Sequence, residues 1–127
     1  MPFIASPPSV GDAVRHAGEL VIEGGAGAVK LEGRMPYISQ IKAIIDAGIP
    51  VMRHVGLLPQ SFHLSSGYRI QGKTKFEAEK IYEDALAVQE CGAFSVVLEG
   101  SPADLAGKIT ETLEIPTIGI GAGPDCD

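Results

Sequence analysis

Apolar residues fall in two alternating rhythms along this chain: stripes at three- and four-residue spacing, and short runs that are apolar at nearly every position. The stripes predict amphipathic helices, and the runs predict strands buried on both faces. Ser9 and Asp12 form a capping pattern ahead of Val14, Leu20 and Val21, opening a helix that ends near Glu23, where Gly24, Gly25 and Gly27 interrupt it. A strand over 28–32 follows. Ile38, Ile41 and Ile45 stripe a helix over 35–47 that Gly48 stops, and 49–55 reads as the second strand. Thr74 and Glu77 make a further capping box before Ala78, Ile81, Ala85 and Val88, and the helix ends at Gly92 ahead of a strand over 94–99. Ser101, Pro102 and Asp104 suit the N-cap, first and third positions of a fourth helix striped by Leu105, Ile109 and Leu113. The last strand spans 115–120. Phe3 and Ile4, followed by Pro7 and Pro8, read as the tail of a strand running into a loop.

Helix, glycine or short apolar-proline break, apolar strand, then glycine and polar residues: this phrase recurs with a unit of about 22 residues. Helices alternating with strands that are apolar on both sides predict an α/β fold with a parallel sheet. An open doubly wound sheet and a (β/α)8 barrel both produce the pattern. A barrel needs about 250 residues, so four βα units amount to about half of one. Residues 1–127 form one domain on this reading. The longest interruption, 56–73, follows a strand directly and holds Pro59, Ser61, Ser65, Ser66 and Gly67; a loop of that length points to function. Tyr68 and Gln71 within it serve either as a lid or as packing.

With a net charge of −6 and no Lys/Arg cluster, the chain lacks the basic footprint of a nucleic-acid binder. No apolar run approaches the ~20 residues of a membrane span, and the N-terminus has no basic segment leading into an apolar one, so a cytoplasmic location is expected. Cys91 and Cys126 lack metal or redox spacing and are assigned no chemistry.

In parallel α/β folds, sites lie at the carboxyl ends of the strands. Lys30 and Glu32 end the first predicted strand, Arg53 and His54 come late in the second, and Glu99 ends the third. Lys30 and Glu32 are two apart and so share a face. They are either an ion pair at a strand end, or an ammonium for an anionic substrate beside a carboxylate for a hard cation. Glu99 closes the apolar run Val96-Val97-Leu98, which suits a general base, although an acid facing water is an equal reading. A lone His54 is a hydrogen-bond donor, a ligand or structural. His16 and His63 fall in helix and loop. Gly119, Gly121 and Gly123 invite a phosphate-loop reading, but the dinucleotide fingerprint also requires a following helix.

Val29-Lys30-Leu31-Glu32-Gly33, Gly48-Ile49-Pro50-Val51-Met52 leading to His54, Gly56-Leu57, Pro59-Gln60-Ser61, Gly67-Tyr68-Arg69-Ile70-Gln71-Gly72, Val97-Leu98-Glu99 and Ile115 to Gly123 occur in one order. Together they resemble the ketopantoate hydroxymethyltransferase family across essentially the whole chain, as a central part of that family's (β/α)8 TIM barrel. The resemblance implies hydroxymethyl transfer from 5,10-methylenetetrahydrofolate to 3-methyl-2-oxobutanoate, giving 2-dehydropantoate in pantothenate biosynthesis. It implies Mg²⁺ as cofactor, Glu99 as the proton acceptor, Lys30 and His54 as substrate-binding residues, and Glu32 as a metal ligand. The family's other metal-binding carboxylates are Asp residues N-terminal to this segment. Homo-oligomerisation, as a decamer in the family, is also implied.

The chain departs from the family at Arg53, Leu58 and Ser6, where Gly, Thr and Tyr are usual, and the expectation for Arg53 is a large cation that crowds or recharges the rim. Half a barrel exposes two sheet edges, so a partner fragment or self-association is expected. Two alternative readings are a non-catalytic fragment or assembly-dependent binding module, and a Mg²⁺-dependent aldolase-like barrel acting on another 2-oxo acid.

Overall fold

The computed structural model describes residues 9–32, 38–56 and 74–127. Helices and strands alternate through them: α1 (Val10–Ile22), β1 (Val29–Leu31), α2 (Ile38–Asp46), β2 (Val51–Gly56), α3 (Lys75–Glu90), β3 (Ser95–Glu99), α4 (Ala103–Thr112) and β4 (Thr117–Ile120). The opening strand tail, the 57–73 part of the long loop and the first residues of the predicted second helix lie outside the described residues.

The sheet runs β1-β2-β3-β4 with every neighbouring pair parallel. Its alternate residues separate into two faces. Val29, Leu31 and Val51 pack with Ala13, Ala17, Ile41 and Ile44 of α1 and α2. Val55, Val96 and Leu98 pack with Ile81, Ala85 and Val88 of α3 and with Ala106 and Ile109 of α4. All four helices therefore cover one face. A doubly wound sheet reverses its strand order and carries helices on both faces, so sequential order with one-sided helices decides for four units of a (β/α)8 barrel. Each fully buried Leu, Ile or Val contributes roughly 1.5–3 kcal/mol of transfer free energy, which makes these two clusters the main attachment of helices to sheet. The opposite face carries Met52, His54, Val97, Glu99, Ile118 and Ile120, and corresponds to a barrel interior. At the β4 edge, Ile118 and Ile120 are both 42% exposed.

The helix starts follow local chemistry. The Asp12 backbone N–H donates to Ser9 Oγ at 3.1 Å, but the Asp12 carboxylate accepts from the Ser9 hydroxyl rather than from its backbone N–H. At α3 the box is complete: Glu77 N–H donates to Thr74 Oγ1 at 3.2 Å and Thr74 N–H to Glu77 Oε2 at 3.4 Å. Thr74→Ala is expected to cost about 1 kcal/mol, read as a lower urea midpoint with an unchanged slope, and Thr74→Ser to cost less than half of that. The α4 start differs from the sequence expectation. Pro102 occupies the N-cap position with extended backbone (φ −57°, ψ 141°) and no side-chain cap, so Ser101 lies outside the helix.

The glycine-rich stretch after β4 has a packing explanation. A Cβ at Gly119 would come within 2.9 Å of Cys126 Sγ, and one at Gly123 would overlap the Ala103 side chain. These glycines let the end of the chain lie close against β4 and α4. No helix among the described residues is long and apolar enough to cross a membrane.

Candidate active site at the carboxyl ends of β1, β2 and β3

Strand alternation places Lys30 and Glu32 on the helix-free face, Glu32 one residue past β1. Leu31 pairs with Arg53, so Glu32 comes level with His54 on the next strand. His54 in turn pairs with Val97, and Glu99 lies two residues further along β3 on the same face. Three adjacent strands thus present Lys30, Glu32, His54 and Glu99, in that order, around one end of the sheet.

The His54 and Glu99 side chains meet in the interior: Nε2 and Oε2 are 3.7 Å apart, and the two residues are 1% and 8% exposed. Lys30 Nζ and Glu32 Oε1 are 3.8 Å apart and more open, a loose pair whose members can each turn toward a ligand. Glu32 Oε2 is buried and has no hydrogen-bond partner among the described residues. An anionic oxygen in that state is a suitable donor for a hard cation. Among the described residues no group of three or more His, Cys, Asp or Glu is placed to hold a metal ion.

Arg53 corrects the sequence expectation. It is adjacent to His54 and therefore points to the opposite face, among the helices rather than at the rim. It is 1% exposed, and its Nη1 donates to the Leu31 carbonyl oxygen at 3.3 Å. Burial lowers its pKa from the usual arginine range, opposed by Cys91 and Asp84 on the α3 side. The Cys91 thiol is pushed up by burial, with Arg53 acting against that shift. Arg53 thus ties β1 to β2 from beneath and leaves the charge of the rim to Lys30, Glu32, His54 and Glu99.

Sequence reasoning missed Ser101 as a rim residue, because its place before Pro102 resembled a cap. It is 2% exposed and lies just beyond Glu99. Gly56 is a second rim determinant: its φ is +98°, and a Cβ there would overlap the Glu99 carbonyl oxygen.

Comparison with known proteins agrees with this fold. Two solved structures overlay on 91% of the chain: the N-acetylneuraminate lyase of Mycoplasma synoviae (TM-score 0.60, 10% identity, 40% of that chain) and a protein of Burkholderia cenocepacia J2315 (TM-score 0.62, 14% identity, 51% of that chain). At such identities they bear on the fold alone, which is a partial TIM barrel. The 3-methyl-2-oxobutanoate hydroxymethyltransferases of Geobacter sulfurreducens, Pelobacter propionicus and Moorella thermoacetica are 59%, 58% and 56% identical over all 127 residues. Those residues correspond to 48%, 47% and 47% of the three proteins, so the chain spans about half the length of the curated relatives it matches. The family model for ketopantoate hydroxymethyltransferase matches residues 1–127, and the chain belongs to that family.

Proposed function

We propose that the β1–β3 rim transfers a hydroxymethyl group from 5,10-methylenetetrahydrofolate to 3-methyl-2-oxobutanoate, giving 2-dehydropantoate, as one half of a (β/α)8 active site. The observation that carries this reading is the buried His54–Glu99 pair, 3.7 Å apart, on the same sheet face as Lys30 and Glu32. A base, an anion-binding cation and a carboxylate with a spare buried oxygen are the groups this chemistry requires.

The Lys30 ammonium attracts the substrate carboxylate and sets the molecule across the rim. Water releases the one-carbon unit of 5,10-methylenetetrahydrofolate as formaldehyde, breaking its C–N bonds and leaving tetrahydrofolate; Glu99 removes the proton from the carbon next to the keto group, and that carbon attacks the formaldehyde carbon. Glu99 returns the proton to the alkoxide so formed, which regenerates the base, while His54 beside it fixes the carboxyl orientation and contacts the substrate. Glu32 would hold Mg²⁺ through its buried Oε2. Mg²⁺, when bound, polarises the keto oxygen and acidifies the adjacent C–H. The outer edges of β1 and β4 are where further strands complete the barrel, from the same chain or from an associated one.

Calorimetric titration of Mg²⁺ in the presence of 3-methyl-2-oxobutanoate tests the assignment. Glu32→Gln is expected to weaken Mg²⁺ binding by on the order of tenfold or more, since a ligand loss exceeds the 10–100-fold effect of outer-shell changes at its lower end. Lys30→Met is expected to weaken the oxo acid by a similar factor while leaving Mg²⁺ binding without it unchanged. Wild-type affinities in both variants would refute this placement of the substrate.

A further inference from the structure

The start of α4 leaves a polar group without an explanation. Ser101 is 2% exposed, and its Oγ has no hydrogen-bond partner among the described residues. Burying a hydroxyl in that state is unfavourable, and capping would have relieved it, but Pro102 takes the N-cap position. The hydroxyl lies at the end of the β2–β3 ladder that carries the base: a Cβ at Gly56 would be 3.0 Å from Ser101 Oγ, and Gly56 is the ladder partner of Glu99. Ser101 therefore closes the rim between β2 and β3, two residues beyond Glu99.

The order of groups across the rim says what would meet it. Lys30 and Glu32 are on β1, His54 on β2 and Glu99 on β3. An oxo acid with its carboxylate at Lys30 and its acidic carbon at Glu99 spans the rim from β1 to β3. The one-carbon unit joins that carbon, at the β3 end. We infer that Ser101 is a binding residue for the hydroxyl of the newly added hydroxymethyl group. This assignment rests on the function proposed above. A serine hydroxyl both donates and accepts, which matches an alcohol better than a carboxylate or a methyl group. A site with a hydroxyl waiting for a partner also discriminates against ligands that lack one.

The test compares affinities of the full chain for 2-dehydropantoate and for 3-methyl-2-oxobutanoate, which differ by that hydroxymethyl group. Ser101→Ala is expected to weaken 2-dehydropantoate about tenfold and to change the parent oxo acid by less than about twofold, with Ser101→Thr recovering part of the difference. Thermal stability of the alanine variant should be equal or higher, because an unsatisfied buried hydroxyl is removed. Unchanged affinity for both compounds in the alanine variant would overturn the inference. Equal loss for both, with a lowered melting temperature, would mark Ser101 as structural and overturn it too. A wild-type chain that binds neither compound would overturn the proposed function itself, an outcome distinct from either failure at Ser101.

Discussion

Replacing Glu99 by Gln is expected to slow deuterium exchange at the carbon next to the keto group of 3-methyl-2-oxobutanoate by about 10²–10⁴-fold, the range that general base catalysis supplies. The amide matches the carboxylate in size and still reaches His54, which stands 3.7 Å from it in the native pair. It has no basic oxygen, so the proton has nowhere to go. Proton NMR in D₂O, with Mg²⁺ present, follows the loss of the substrate signal directly. Binding of the oxo acid should survive, because the proposed arrangement assigns its carboxylate to Lys30 and not to Glu99. Exchange at the native rate in the variant would place the base on another residue, and loss of binding together with exchange would indicate a collapsed rim instead.

Gly56→Ala is expected to be the most damaging small substitution. Gly56 has φ +98°, where a side chain is strained, and its Cβ would overlap the Glu99 carbonyl oxygen and approach Ser101 Oγ to 3.0 Å. Backbone strain of this kind costs about 1–3 kcal/mol, and the overlap with backbone adds to it because no flexible side chain can yield. Relief requires β2 and β3 to part at Gly56↔Glu99, the last pair of their ladder. A loss of about 3 kcal/mol or more in urea unfolding is therefore expected, together with loss of exchange activity. Gly11→Ala serves as the control. Gly11 lies within α1, nothing stands within 4 Å of its Cβ position, and alanine there should stabilise by up to about 1 kcal/mol. Similar effects at both positions would remove the geometric basis of the Gly56 prediction.

Much of the architecture was legible because it rests on local rules. The apolar runs Val96-Val97-Leu98 and Ile118-Gly119-Ile120 announced strands, and Thr74 with Glu77 announced the start of α3, where the full capping box forms. Periodicity could not choose between an open sheet and a barrel, because that choice depends on strand order and on which face the helices take. Arg53 departs from its expected place at the rim for a simpler reason: strand alternation sends it and His54 to opposite faces of β2. The residue type of Ser101 suits a cap, whereas the backbone leaves Pro102 extended and begins the helix one residue later. At the site, alternation alone put Lys30 and Glu32 on one face. The separate roles for these two, and for His54 and Glu99, came from the family resemblance, since spacing along a chain does not reveal the chemistry of a substrate.

Product formation by the wild-type protein is the decisive measurement for the proposed transfer. The protein is supplied with Mg²⁺, 3-methyl-2-oxobutanoate and 5,10-methylenetetrahydrofolate, and 2-dehydropantoate is quantified by mass spectrometry. Product is expected in proportion to wild-type protein, dependent on Mg²⁺ and lost in Glu99→Gln. A wild-type protein that binds the oxo acid and Mg²⁺ but forms no 2-dehydropantoate would contradict it.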